Sequence, residues 1–433
     1  MADALLSVGL DVGTTTTQMI VSRLTVENKA TGFAVPEMEI ADREILYRGK
    51  VHFTPLIEGK KVDKEGLKNL IDREYVNAGI RREQVDTGAV IITGETSRKE
   101  NAKTALEALS EYAGEFVVAT AGPDLESILA ARGAGAVDYS ERTGKLILHM
   151  DIGGGTSNLC LIKAGKILAT GCLNVGGRLI KRDSLYNITY RSPVLSYTDE
   201  TDIARIVGDM VSALEMAAGL RPEGELLHQF MTEEITAPWK IPQERPVISF
   251  SGGVADCIQR ELPPLAFGDI GPELGQAIRK SELCKGEYIL GTETIRATVI
   301  GAGCYSTTLS GSTVFYRNVQ FPIKNLPVVE FGPGKTAQEE TSVFFISGEE
   351  KFSYTRICEV AKLLAEQTKG AIYIALQADA AKALGHRLCL LLPPERPICC
   401  IDRVKLTEGS FLDIGAPVGP ALPVVIKTLI LSH

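Results

Sequence analysis

Two aspartates 140 residues apart open the same kind of turn. Residues 10–21, LDVGTTTTQMIV, align with residues 150–161, MDIGGGTSNLCL, so that Asp11 answers to Asp151, Gly13 to Gly153, Thr16 to Thr156, Thr17 to Ser157 and Gln18 to Asn158. A phosphate needs backbone N–H donors at close range, and glycines in a tight turn supply them with no Cβ in the way. Gly13 with Thr14 and Thr15, and Gly153, Gly154 and Gly155 with Thr156, are such donors. An Asp at the end of the preceding strand stands at the mouth of the turn. There it can hold Mg²⁺ directly or through waters, because that ion favours one or two carboxylates plus phosphate oxygens. One Asp-x-Gly turn is an ordinary structural feature; two homologous copies facing each other can grip a polyphosphate from both sides. A third glycine turn, Ser251-Gly252-Gly253, can carry an adenosine across its glycines. The chemistry expected is Mg²⁺-dependent nucleotide binding, with positioning and charge neutralisation leaving little covalent work to the protein. A water attacking the terminal phosphate still needs a carboxylate to orient it, and Glu126 and Glu95 are the candidates. Arg178, Lys181 and Arg182 are either nucleotide contacts or solvated cations. His149 reads as a core or strand-end polar group, and Cys399 and Cys400 as core.

The elements that must position these residues follow from the pattern around them. Each echo is an apolar run, an Asp-x-Gly turn, a small polar patch and a second apolar run, which is a β-hairpin at the start of a sheet. The spacing is too long for a solenoid repeat and right for a duplicated domain. After the first hairpin come a strand at Gly88–Thr93, a helix at Asn101–Ala113, a strand at Phe116–Ala119 and a helix near Leu125–Arg132. The second is followed by a helix near Thr201–Ala218, then a buried strand, Gly turn and helix start in PVISFSGGVADCI. The stretch Thr294–Gly311 is expected to close the second lobe, and the Pro- and Glu-rich piece Arg221–Arg245, with Trp239, to be a surface insertion. From about Val328 the α/β alternation begins again in a C-terminal region.

The composition bounds the function. At 433 residues, 45% hydrophobic and 23% charged, the chain has the make-up of a folded protein of several domains rather than of a disordered one. A net charge of −8 supplies no field to draw it onto nucleic acid or anionic lipid. Its nine cysteines are scattered through apolar runs without metal-ligand spacing and read as reduced core residues. No run of 18 apolar residues and no export signal is apparent, so a cytoplasmic protein is expected.

The set Asp11-x-Gly13-Thr14-Thr15, Asp151-x-Gly153-Gly154-Gly155-Thr156 and Ser251-Gly252-Gly253 resembles the phosphate-1, phosphate-2 and adenosine motifs of the superfamily of actin, heat-shock chaperone ATPases and sugar kinases. Small-residue segments Gly122–Ala136 and Val299–Thr307 resemble its two hinge helices. The resemblance implies an α/β fold of two duplicated actin-like (ribonuclease H-like) lobes with a nucleotide cleft between them. The divisions expected are 1–145, 146–310 and a C-terminal α/β region, 311–433, packing partly back on the first lobe. The strings LLSVGLDVGTTTTQ, IITGETSRKENA, FVVATAGPDLESILAARGAGA, DIGGGTSN, CLNVGGRLI, ISFSGGV and TIRATVIGAG are similar to the ethanolamine ammonia-lyase reactivating factor family, from residue 5 to about residue 330. That family implies a chaperone for one client, ethanolamine ammonia-lyase, which uses ATP and Mg²⁺ to exchange damaged cobalamin for intact adenosylcobalamin. It also implies association with an ethanolamine-utilisation microcompartment. A small-molecule kinase and an actin-like filament protein are the competing readings, and the number of copies in an assembly, a homo-oligomer included, stays open.

Overall fold

The computed structural model describes residues 3–13, 16–29, 38–57, 61–92, 117–120, 123–195, 197, 202–232, 239–291, 293–305, 307–310, 313–332, 342–348, 352–368, 370–406 and 410–427. Its first sheet is built from β1 (Asp3–Val12), β2 (Thr16–Asn28), β3 (Met38–Arg48), β4 (Thr87–Ile92) and β5 (Val117–Thr120), in the order β3-β2-β1-β4-β5. β1 is antiparallel to β2 and parallel to β4. Apolar residues run through β1 almost without alternation because both faces are covered. On one side lie Leu67, Leu70, Ile71 and Tyr75 of α1 (Lys64–Ala78); on the other, a glycine-rich helix described below meets Gly9.

The second sheet repeats the first. Its strands β6 (Leu146–Ile152), β7 (Ser157–Lys163), β8 (Lys166–Leu173), β9 (Val247–Ser251) and β10 (Tyr288–Leu290) lie in the order β8-β7-β6-β9-β10, with the same directions. The duplication holds to the residue: Asp11 pairs with Gln18 across the first hairpin and Asp151 with Asn158 across the second. The residues aligned in the sequence therefore occupy equivalent places in two separate sheets.

Two helices tie the sheets together, and they do so by crossing over. α2 (Pro123–Gly133) follows β5 of the first sheet yet packs on β6, β7 and β8 of the second; Thr170 Oγ1 donates to Asp124 at 2.5 Å. α3 (Ala297–Tyr305) follows the second sheet yet packs on the first, where Ser7 Oγ donates to Gly303 O at 2.5 Å. The two helices meet backbone to backbone, because a Cβ on Gly133 would overlap Ala297 O and one on Gly301 would overlap Leu129 O. The expectation that Thr294–Gly311 closes the second lobe is corrected here. Its helix buries Val299, Ile300 and Cys304 against Ile20 of β2, since Gly9 and Gly303 let it approach the first sheet closely.

A third, mixed sheet of eight strands lies beyond α3. Strands Ile323–Glu330, Val343–Ile346, Ile372–Leu376 and Ile398–Ile401 run parallel in it. Helices Tyr354–Gln367 and Ala381–Cys389 cover one face. Thr307 Oγ1 meets Thr87 Oγ1 of the first sheet at 2.7 Å. The piece Arg221–Arg245 is also corrected. Leu227 and Phe230 belong to the core of the second unit, and Trp239 Nε1 donates to Ala217 O at 3.1 Å with its ring over Gly171. Only a glycine at 171 leaves room for the indole. The helix expected at Asn101–Ala113 lies outside the described residues. Among the described residues no helix is long and apolar enough to cross a membrane.

Candidate functional site

Both Asp-x-Gly turns close with one and the same hydrogen bond: Gly13 N–H donates to Thr16 O and Gly153 N–H to Thr156 O, each at 2.9 Å. Thr54 Oγ1 donates to Gly13 O at 2.7 Å and lies 3.0 Å from Thr17 Oγ1, pinning the first turn from just beyond the short strand His52–Phe53, which pairs with β2 as the sixth strand of the first sheet. The second turn is braced from behind, where Gly177 N–H donates to Gly153 O at 3.1 Å and Arg178 N–H to Gly154 O at 2.6 Å. Gly176 must be glycine for this, since a Cβ would overlap Gly154 O. Gly155, by contrast, has open space where a side chain would be.

Ser251 ends β9, parallel to β6 and beside Asp151. Gly252 turns at φ 84°, in the left-handed region, directly over Ile152 O, and Gly253 begins a short helix. The predicted adenosine turn is thus in contact with the predicted phosphate turn. Asp151 is buried; Oδ1 accepts from Ser251 Oγ and Oδ2 from Thr298 Oγ1 of α3 at 3.4 Å. Burial pushes its carboxyl up to about 6, with the two hydroxyls working against that rise.

Glu126, in the first turn of α2, brings the two halves together. Burial pushes its carboxyl well above the ordinary range, and the charges of Asp151 and then Asp11 push it further, while a hydrogen bond from the Asn158 side chain works the other way. The carboxylates of both turns therefore act on one side chain. A carboxylate in so poorly solvated a place is relieved either by a proton or by a cation beside it. The residues fit Mg²⁺ in a second respect, since Gln18, the counterpart of Asn158, keeps a buried Oε1 with no hydrogen-bond partner among the described residues. No three His, Cys, Asp or Glu side chains among those residues are grouped to hold a metal unaided.

Thr14, Thr15 and Glu95 lie outside the described residues. Arg178 lays its side chain along Gly154 while its Nε pairs with Asp269 at 3.4 Å. Arg182 is paired with Glu273, and Lys181 Nζ sits 5.4 Å from the centre of the Tyr190 ring. His149 is fully buried; Nδ1 lies 2.9 Å from Ser249 Oγ and Nε2 2.9 Å from Ser251 Oγ, and burial lowers its imidazole to about 3, so the ring is neutral. The core or strand-end polar group read at His149 is what the structure shows, while Thr298, Thr54 and Asn158 are site residues that the reading of the sequence did not single out. Asn158 alone carried a signal, as the partner of Gln18 in the repeat. A separate concavity of ≈ 520 Å³, lined by Arg205, Asp209, Glu215, Arg221, Lys280 and Glu282, lies at the far end of helix Gly271–Lys280 from the second turn. Ten helical residues put it on the order of 15 Å away.

Two ribonuclease H-like sheets related by duplication, bridged by crossed helices and carrying matched Asp-x-Gly turns, define an actin-like fold. The model of the family described as "Ethanolamine utilisation protein EutA" matches residues 3–344 and 334–432. The "Ethanolamine ammonia-lyase reactivase EutA" of Salmonella typhimurium is 36% identical over 465 residues, covering 98% of this chain and 98% of the relative. The protein of that name from Escherichia coli K12 is 38% identical over 464 residues, again covering 98% of each. Among solved structures, the Aquifex aeolicus PPX-GPPA enzyme aligns at 12% identity and a TM-score of 0.42, covering 69% of this chain and 99% of that one. The chain belongs to the EutA family.

Proposed function

We propose that this chain is an ATP-dependent reactivating chaperone for ethanolamine ammonia-lyase, releasing damaged cobalamin from that enzyme so that intact adenosylcobalamin can bind. The reading is carried by the two matched Asp-x-Gly turns, which put Asp11 and Asp151 at equivalent strand ends, in a chain whose relatives over 98% of their length are named ethanolamine ammonia-lyase reactivases. Asp11 and Asp151 would hold Mg²⁺, which when bound neutralises charge on the nucleotide phosphates. Gly154, Gly155 and Thr156, with Thr14 and Thr15, donate to the phosphate oxygens, while the Gly13 and Gly153 N–H groups, expected from the sequence to be phosphate donors too, are spent on closing their turns. Ser251, Gly252 and Gly253 carry the adenosine.

Glu126 holds the attacking water and accepts its proton, and the surroundings that raise its basicity suit it to that task. Asn158 fixes its carboxyl. Nucleotide held by both halves favours whichever arrangement of the sheets it binds more tightly, and α2 and α3 carry that preference to the client. Ethanolamine ammonia-lyase would then be the partner, and no nucleic acid or membrane is needed.

The test is direct. Cyanocobalamin-inactivated ethanolamine ammonia-lyase is incubated with the chain, ATP, Mg²⁺ and fresh adenosylcobalamin, and ethanolamine deamination is followed. Recovery that requires ATP is expected. Failure to recover activity, with ATP consumption rising instead on addition of a sugar or with sedimenting polymer, would contradict the reading.

A further inference from the structure

Behind Asp151 runs an unbroken line of polar side chains in an otherwise apolar layer. The parallel register of β6 and β9 sets Ser249 beside His149 and Ser251 beside Asp151. Their neighbours on the same strands, Ile147, Leu148, Met150, Ile248 and Phe250, are all core residues. Ser249, His149 and Ser251 are each 0% exposed. Polar groups so placed cost stability unless every partner is satisfied, and here they are: Ser249 Oγ to His149 Nδ1 at 2.9 Å, His149 Nε2 to Ser251 Oγ at 2.9 Å, and Ser251 Oγ to Asp151 Oδ1.

The chemistry of the groups fixes the direction of the line. A carboxylate only accepts, so the single hydroxyl proton of Ser251 goes to Asp151. Ser251 Oγ must then accept from His149 Nε2–H, which leaves Nδ1 as the acceptor for the Ser249 hydroxyl. Every donor points toward Asp151. His149 thereby sets the Ser251 rotor, and Ser251 sets the plane of the carboxylate, whose other oxygen meets Thr298.

We propose that His149 is a positioning residue for the nucleotide site: acting through Ser251, it aims the Asp151 carboxylate at the Mg²⁺-bound phosphates without touching metal or nucleotide. The proposal rests on the Mg²⁺–ATP reading above. Partners of ligating carboxylates typically matter to metal affinity rather than to ligand binding as such.

Two variants of similar size separate aiming from filling space. His149→Gln places an amide donor where Nε2 stands and can still reach Ser251; His149→Asn places its shorter amide at the Nδ1 position and cannot. Two quantities are read: the free Mg²⁺ concentration that half-saturates ATP turnover, and ATP affinity in EDTA. His149→Asn should raise the Mg²⁺ requirement about tenfold and leave the EDTA affinity unchanged, with His149→Gln within about threefold of the parent. Ser249→Ala removes only the far hydroxyl, serves if the histidine variants do not fold, and should raise the requirement by about threefold. Equal Mg²⁺ dependence in the parent, His149→Asn and Ser249→Ala would overturn the proposal, as would a His149→Gln chain no better than His149→Asn. A parent chain that shows no Mg²⁺-dependent ATP binding would overturn the functional reading as well, so the two failures are told apart.

Discussion

Replacing Asp151 with Asn is expected to have two opposite effects: Mg²⁺-dependent ATP turnover falls about 10²–10³-fold, and the metal-free chain becomes harder to unfold. The loss follows from removing one of the two carboxylates proposed to hold Mg²⁺. The gain follows from linkage. The folded-state value of Asp151, about 6, is raised above its ordinary 3.8. A raised carboxyl contributes stability that is fully present below its unfolded value and lost as pH rises through the folded one. The ionised group therefore costs the native state on the order of 3 kcal/mol at neutral pH, from 1.36 kcal/mol per unit. Asn carries no such cost and still accepts from Ser251. Relief of Glu126, which the Asp151 charge pushes up, adds in the same direction. Thermal denaturation in EDTA should show the variant level with the parent near pH 4 and pulling ahead by several degrees as pH approaches 7.5. A variant that is less stable than the parent at pH 7.5 would show that Asp151 is not a desolvated, uncompensated charge.

The other large effect lies where the two bridging helices cross. Gly301→Ala, or Gly133→Ala, puts a methyl group into a backbone carbonyl of the facing helix, Leu129 O in one case and Ala297 O in the other. Neither obstacle is a side chain that can rotate away, so the helices must separate or one must shift along the other. A destabilisation of about 3–5 kcal/mol is expected. Under the proposed function, client reactivation should fall with it, because α2 and α3 join the two sheets that the nucleotide is proposed to hold. Calorimetric unfolding and the reactivation assay check both parts, and an alanine variant with parental unfolding temperature would refute the close crossing.

The parts of this fold that could be read from the sequence are those decided within a few residues. An Asp-x-Gly turn between two apolar runs makes its own hairpin, so Asp11 and Asp151 were placed correctly at equivalent strand ends, in the same register. Small residues in Gly122–Ala136 and Val299–Thr307 announced helices that approach closely. What escaped depends on long-range pairing. His149 looked like any polar residue in a buried strand until β9, a hundred residues on, set two serines against its ring. Trp239 sits in a Pro- and Glu-rich stretch whose composition reads as surface, yet Gly171 on a distant strand leaves the space in which its ring is half-buried. The helix Ala297–Tyr305 was assigned to the wrong sheet because apolar and small residues say that a helix packs, not against what. Only the opposed Gly9 and Gly303 decide that.

The central claim is that two duplicated turns hold one magnesium nucleotide between them. Isothermal titration of the chain with ATP in Mg²⁺ tests it most directly. One ATP should bind per chain, and binding should be lost when either Asp11 or Asp151 is replaced by Ala. Absence of binding to the parent chain, or parental affinity in both variants, would contradict it.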